Sequence, residues 1–139
     1  MIIGRDAPVT GAFDTHHVPY ERPTLEPPYR VLLLGAANDG WYQAADAAER
    51  ERLLERLEAW FARWPERGAR LLVSFDDDLF VVGQPASLTY SLYIVYEVDD
   101  LAVVTKTLDE LREEVDGIRL DSAFRMEARV GRQLFLLTS

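Results

Sequence analysis

The chain of 139 residues contains no cysteine. Disulfides and thiolate chemistry are thereby excluded, and a reducing cytoplasm is the expected location. Positive charge is scarce: 15 Lys and Arg against 24 Asp and Glu leave a net charge of −9, and Lys106 is the only lysine. Phosphate backbones and anionic headgroups are repelled by such a chain, so neither nucleic acid nor a membrane surface is an expected partner. Long hydrophobic runs are missing too. The longest covers residues 31–37, far short of the roughly 20 residues a spanning helix needs. The opening residues, MIIGRDAPVTG, lack the basic and then apolar pattern of a secretory leader. There is no G-x-G-x-x-G, P-loop, H-E-x-x-H, G-x-S-x-G or EF-hand loop, which argues against nucleotide enzymes, metalloproteases and α/β-hydrolases. The two histidines, His16 and His17, offer too few nitrogen ligands for a metal site, and no metal or cofactor is expected.

What is present suits one folded domain. Hydrophobic residues make up 48% and aromatic residues 11% of the chain, enough for a packed core. Residues 1–29 stand apart, holding five of the seven prolines and both histidines. Proline fixes φ and disfavours helix at the residue before it, so this segment is expected to be an extended arm. Phe13, Val18, Tyr20 and Tyr29 give that arm apolar surface to lay on its own domain or on a partner. Residues 30–139 form the domain.

Within it, YRVLLLGAA (29–37) is a short apolar run typical of a strand covered on both sides. NDGWYQ (38–43) reads as a loop. From Asp46 to Trp64 the period becomes helical, with Leu53, Leu54, Leu57, Trp60, Phe61 and Trp64 at helical spacing, and Pro65 and Gly68 end it. ARLLVSF (69–75) and LTYSLYIVYEV (88–98) are the second and third strands. Asp99 or Asp100 caps a second helix whose inner face is Leu101, Val104, Leu108, Leu111 and Val115, with Gly117 closing it. FRMEARVGRQLFLL (124–137) is the fourth strand. The order β-α-β-β-α-β is that of a ferredoxin-like α+β fold: one antiparallel sheet with two helices on one face.

Two helices leave the other face of that sheet open, and side chains of one parity share a face. If Phe124, Met126 and Ala128 pack on the helices, Arg125, Glu127 and Arg129 point to the open side. The same logic sends Ser74, Asp76, Ser91 and Tyr93 there and turns Val73, Phe75 and Tyr90 inward. Four groups of residues carry potential chemistry. Arg125 and Arg129 suit a carboxylate, with Glu127 between them as an ionised base; cross-strand ion pairing is the bland alternative. Asp76, Asp77 and Asp78 repel one another, so Asp76 or Asp78 is a candidate base, against a solvated turn. His17 can serve acid–base chemistry near neutral pH, although arm histidines are more often simply exposed. Trp41, Tyr42 and Tyr93 can sandwich a planar ligand.

The stretches FDDDLFVVG and EARVGRQLF resemble the small IacB-type proteins of indole-3-acetate degradation operons, which are similar to dimeric α/β-barrel proteins. The resemblance implies a homodimer whose two sheets enclose a pocket, and a small aromatic ligand. It also draws attention to Asp76, Asp77, Asp78, Glu127, Arg129 and Arg132. Two functions follow as expectations. One is a small cofactor-independent enzyme of aromatic or secondary metabolism, of monooxygenase, cyclase or isomerase type. The other is a non-catalytic binding or accessory subunit.

Overall fold

An apolar run supplies core, and Val31 and Leu33 within residues 29–37 are fully buried in it. The computed structural model describes residues 26–84, 89–134, 136 and 137. Residues 27–130 form one unit. In it, β1 (Tyr29–Ala37) is an inner strand of a four-stranded sheet together with β2 (Arg70–Asp76), β3 (Leu92–Val98) and β6 (Phe124–Gly131), in the order β2-β3-β1-β6. The β1–β3 and β2–β3 pairs are antiparallel. Inner positions for the first and third long strands are those of the ferredoxin-like order expected from the sequence. Residues 131–134, 136 and 137 belong to a second unit, in which the Leu137 N–H donates to the Leu134 carbonyl.

Helix α2 (Ala47–Glu66) begins where expected. The Asp46 carboxylate accepts from the Glu49 N–H at 2.8 Å, and Glu49 accepts in turn from the Ala45 N–H at 2.6 Å. This reciprocal arrangement resembles a capping box and occupies donors that the first turn leaves free. Leu53, Leu57, Trp60 and Trp64 are buried on one side of the helix. They meet Val31 and Leu33 of β1 and Ile94, Tyr96 and Val98 of β3 in the core. The Trp64 ring stacks on Tyr96 at 4.9 Å, and Trp60 meets Trp64 edge-on at 5.8 Å. Trp60 Nε1–H donates to the Thr107 carbonyl at 2.6 Å, tying α2 to α3 (Leu101–Asp109). Truncating either tryptophan to alanine is expected to cost about 3–5 kcal/mol.

Three local expectations need correction. Residues 38–43 are not all loop: Asp39–Tyr42 forms a one-turn helix, α1. The second long helix stops early. Asp100 caps α3 through the Ala102 N–H, but a 3₁₀ turn (Glu110–Arg112) follows, and then a small hairpin of β4 (Glu114–Val115) and β5 (Ile118–Arg119). Asp116 and Gly117 both have positive φ, 53° and 78°. The pair therefore makes the tight turn for which Asp-Gly is suited, rather than a helix C-terminus. Val115, now in the hairpin, is exposed, and Leu101 at the start of α3 is exposed too. The last strand ends at Gly131 and is preceded by a short helix, α4 (Leu120–Ala123).

Candidate binding site on the open sheet face

Cross-strand partners lie on the same face, so register assigns each side chain. Ile94 and Tyr96 of β3 are core residues, and Phe124, Met126 and Ala128 of β6 pack with that core. Tyr93, Val95 and Glu97 therefore face the other way, as do Arg125, Glu127 and Arg129. For these residues the parity reading holds.

On β2 it fails. Leu71 pairs with Tyr96, but Val73 pairs with Val95; Leu72 is an extra residue, a β-bulge. A bulge resets alternation. Beyond it Phe75 pairs with Tyr93 on the open face, while Ser74 pairs with Ile94 and Asp76 with Leu92 on the helix side. The expectation is thus reversed for every β2 residue after Leu72. Asp76 does not join the arginines. Its carboxylate accepts from the Asp78 N–H at 3.2 Å, the local role an aspartate plays in a turn. Asp78 is exposed beside it.

Asp77 is the aspartate that meets the site. Tyr93 Oη donates to Asp77 Oδ2 at 2.7 Å and also lies 3.0 Å from the Tyr90 carbonyl oxygen. The Phe75 ring, more than half exposed, stacks on Tyr93 at 4.9 Å with 17° between the planes. Tyr90, assigned inward from alternation, precedes β3, and its hydroxyl donates to Glu127 Oε1 at 3.1 Å. Arg129 Nε donates to Glu127 Oε2 at 2.7 Å. The Arg125 guanidinium lies 5.2 Å from the Tyr90 ring centroid and donates to the Thr89 carbonyl. Its Nε is buried with no hydrogen-bond partner among the described residues. Two polar groups thus meet at Tyr90: Asp77 and Tyr93 at its backbone carbonyl, and Glu127 with Arg129 at its hydroxyl. The first of them carries a paired aromatic surface.

The environment sets the charges. The hydrogen bond from Arg129, then that from Tyr90, hold the Glu127 carboxyl below its ordinary range, so it is ionised at neutral pH. The bond to Asp77, aided by burial, raises the Tyr93 phenol above its ordinary range, so the hydroxyl keeps its proton.

The other candidates lie elsewhere. Trp41 packs against Phe124 on the helix side at 5.6 Å, with the Arg50 guanidinium 5.5 Å from its ring. It is a core-edge residue and no partner of Tyr93. Tyr42 is exposed on α1. Arg132 is exposed and belongs to the second unit. His17, with most of the proline-rich arm, lies outside the described residues. Among the described residues no group of three metal-ligating side chains occurs, and no helix is long and apolar enough to cross a membrane. The residues that sequence reasoning passed over are Phe75 and Tyr90, while Asp77 was one of three aspartates it offered. The aspartate triplet was visible, but choosing its middle member required the register.

No protein-family model matches the chain, and no curated protein matches it. Among solved structures, the crystal structure of a protein named "Putative Chlorite dismutase TA0507" aligns with 78% of this chain and 46% of its own length, at 20% sequence identity and a TM-score of 0.47. The chain spans about half the length of that structure.

Proposed function

We propose that the open sheet face binds a planar aromatic acid and that the protein is a small enzyme of aromatic metabolism working without an organic cofactor. The observation that carries this reading is the exposed Phe75–Tyr93 stack, joined through Tyr90 to Glu127 and Arg129. An exposed ring pair offers a flat apolar surface to a flat ligand. Arg129 and Arg125 supply cationic groups for its carboxylate. Tyr93 and Asp77 then form a short proton path. A substrate O–H or N–H donates to Tyr93 Oη, and Tyr93 passes its own proton to Asp77. Positioned proton transfer of this kind contributes about 10²–10⁴-fold in rate. The resemblance of FDDDLFVVG and EARVGRQLF to the IacB-type family agrees with an aromatic ligand.

Calorimetric titration with indole-3-acetate against cyclohexaneacetate, a saturated acid, tests the binding step. The planar acid should bind at least tenfold more tightly; equal binding, or none at millimolar concentration, overturns the reading. A second reading, a non-catalytic carrier, draws on one feature of the site. Both carboxylates are already engaged, Asp77 by Tyr93 and Glu127 by Tyr90 and Arg129. Mass spectrometry of the bound acid after incubation in air separates the two. Conversion that disappears in Tyr93→Phe identifies an enzyme, and unchanged ligand identifies a carrier.

A further inference from the structure

Leu34 and Ala36 of β1 are buried on the face opposite the helices. Leu34 pairs with Tyr93 on that face, and alternation puts Ala36 there too. They are only 5% and 9% exposed, yet neither belongs to the core cluster around Val31 and Leu33. Phe75 on the same face is 56% exposed. The cover is therefore local to one end of the open face.

Two contacts place β6 beside β1. The Asn38 N–H donates to the Ala123 carbonyl, and a Cβ on Gly35 would meet Met126 Sδ. Numbers rise along one strand as they fall along the other, so the strands are antiparallel, with Leu34 beside Glu127 and Ala36 beside Arg125. Strand β1 lies between β3 and β6. A side chain reaching from the head of β3 to β6 thus spans two strand spacings, roughly 10 Å, and passes over β1. Tyr90 does this in one direction, its hydroxyl donating to Glu127 Oε1 at 3.1 Å. Arg125 does it in the other, its guanidinium donating to the Thr89 carbonyl. The guanidinium lies over the Tyr90 ring, 5.2 Å from its centroid, within cation–π range. The two side chains form a clasp across β1, and this clasp accounts for the burial of Leu34 and Ala36.

The far end of the same face is closed by ion pairs. Arg70 Nη2 lies 3.1 Å from Glu97 and 3.0 Å from Asp99, and Arg30 lies 3.4 Å from Glu97. Between clasp and ion pairs runs an apolar strip: Phe75 and Tyr93, then Val73, Val95 and Leu32 in register. From Tyr93 to Glu97 the strand advances about 13 Å, and the groups at each end take part of that length. We propose that the Tyr90–Arg125 clasp is a size filter, which shuts the Leu34–Ala36 end and confines the ligand to this strip. The ligand class is then an aromatic acid of one or two rings, and larger ring systems are rejected by collision with Tyr90. The proposal rests on the reading of this face as an aromatic-acid site. Tyr90 acts in it by exclusion and moves no proton.

The chain has no cysteine, so one introduced thiol reports on the clasp without any ligand. Leu34→Cys should react with iodoacetamide at least tenfold faster once Tyr90→Ala is added, and Ala36→Cys gives the same comparison if Leu34→Cys does not fold. Calorimetric titration with indole-3-acetate and 1-pyreneacetate tests the filter, since the two acids share a carboxymethyl arm and differ in ring area. The native chain should favour the indole acid at least tenfold. Tyr90→Ala should lose that preference with an unchanged circular dichroism spectrum, and Tyr90→Phe, which keeps the ring, should restore it. Equal thiol rates with and without Tyr90, or a preference that survives Tyr90→Ala, overturn the proposal. A native chain that binds both acids equally also overturns it and leaves the aromatic-acid reading standing. A native chain that binds neither acid overturns that reading, and the size limit falls with it.

Discussion

Replacing Gly40 by alanine tests how the strand bearing Arg125, Glu127 and Arg129 is launched. Gly40 lies in α1 where it crosses α4, the short helix that leads into β6. A Cβ there would sit 2.4 Å from the Ser122 carbonyl oxygen, 2.7 Å from its carbon and 3.1 Å from the Ala123 nitrogen. All three are backbone atoms, so no rotamer change relieves the clash. The two segments are also tied: the Asn38 N–H donates to the Ala123 carbonyl at 2.7 Å, and Asn38 Nδ2 donates to the Asp121 carbonyl at 3.3 Å. Reaching an ordinary contact distance requires α1 and α4 to separate by about 1 Å. Overpacking of this kind costs about 2–3 kcal/mol. In a domain of this size that is a fall of roughly 8–12 °C in the melting temperature. Gly35→Ala is the internal control. Its Cβ would meet Met126 Sδ at 2.7 Å and Cε at 3.1 Å, but a thioether can rotate away, so a loss of about 1 kcal/mol is expected. Thermal melts followed by circular dichroism decide the matter. A Gly40→Ala protein melting within about 2 °C of the native chain would show that α1 and α4 do not approach as described.

Four further outcomes are expected. Arg129→Met should weaken indole-3-acetate binding by about tenfold, the lower end for a charge-assisted contact because the side chain is largely exposed; calorimetry with unchanged affinity would remove Arg129 from the site. Tyr93→Phe keeps the stack on Phe75 but deletes the bond to Asp77, so affinity should hold within about threefold while the urea midpoint falls slightly. Glu110 is held below the ordinary glutamate value of 4.5 chiefly by the hydrogen bond from Arg67, which outweighs the opposing effect of burial, and then by that from Arg63; its stabilisation is therefore present above that value and lost as the pH falls through the folded pKa. Urea midpoints of the native chain and Glu110→Gln should accordingly differ at pH 7 and converge in acid, and a constant gap would refute the clamp. Trp60→Phe leaves the Thr107 carbonyl buried without its donor and should cost about 1–3 kcal/mol in the same assay.

Much of the architecture is legible in the residues themselves. The change of period at Asp46, the caps at Asp46 and Asp100 and the apolar runs of β1 and β3 are local signals, and they place the elements in ferredoxin-like order. The alternation of Phe124, Arg125, Met126, Glu127, Ala128 and Arg129 is equally local, and it points the arginines to the open face. Asp116-Gly117 was legible as well, since Asp-Gly is the turn pair of a tight hairpin, but the neighbouring helical spacing obscured it.

Tertiary structure decided the rest, because face and partnership depend on pairing across the sheet. Polarity alone sent Phe75 inward and Asp76 outward, which is correct for a strand without interruption. The extra residue at Leu72 reverses both, and an apolar sequence such as ARLLVSF carries no mark of where a bulge will fall. Tyr93 reaches Asp77, and Tyr90 reaches Glu127 across 37 residues of chain, contacts that exist only once β3 lies between β2 and β1. Trp41 looks in sequence like a free loop aromatic, yet folding sets it against Phe124 on the helix side. The sequence thus determined which elements form, through propensities that act within a few residues. The fold determined which side chains share a site, through strand register, which no local pattern encodes.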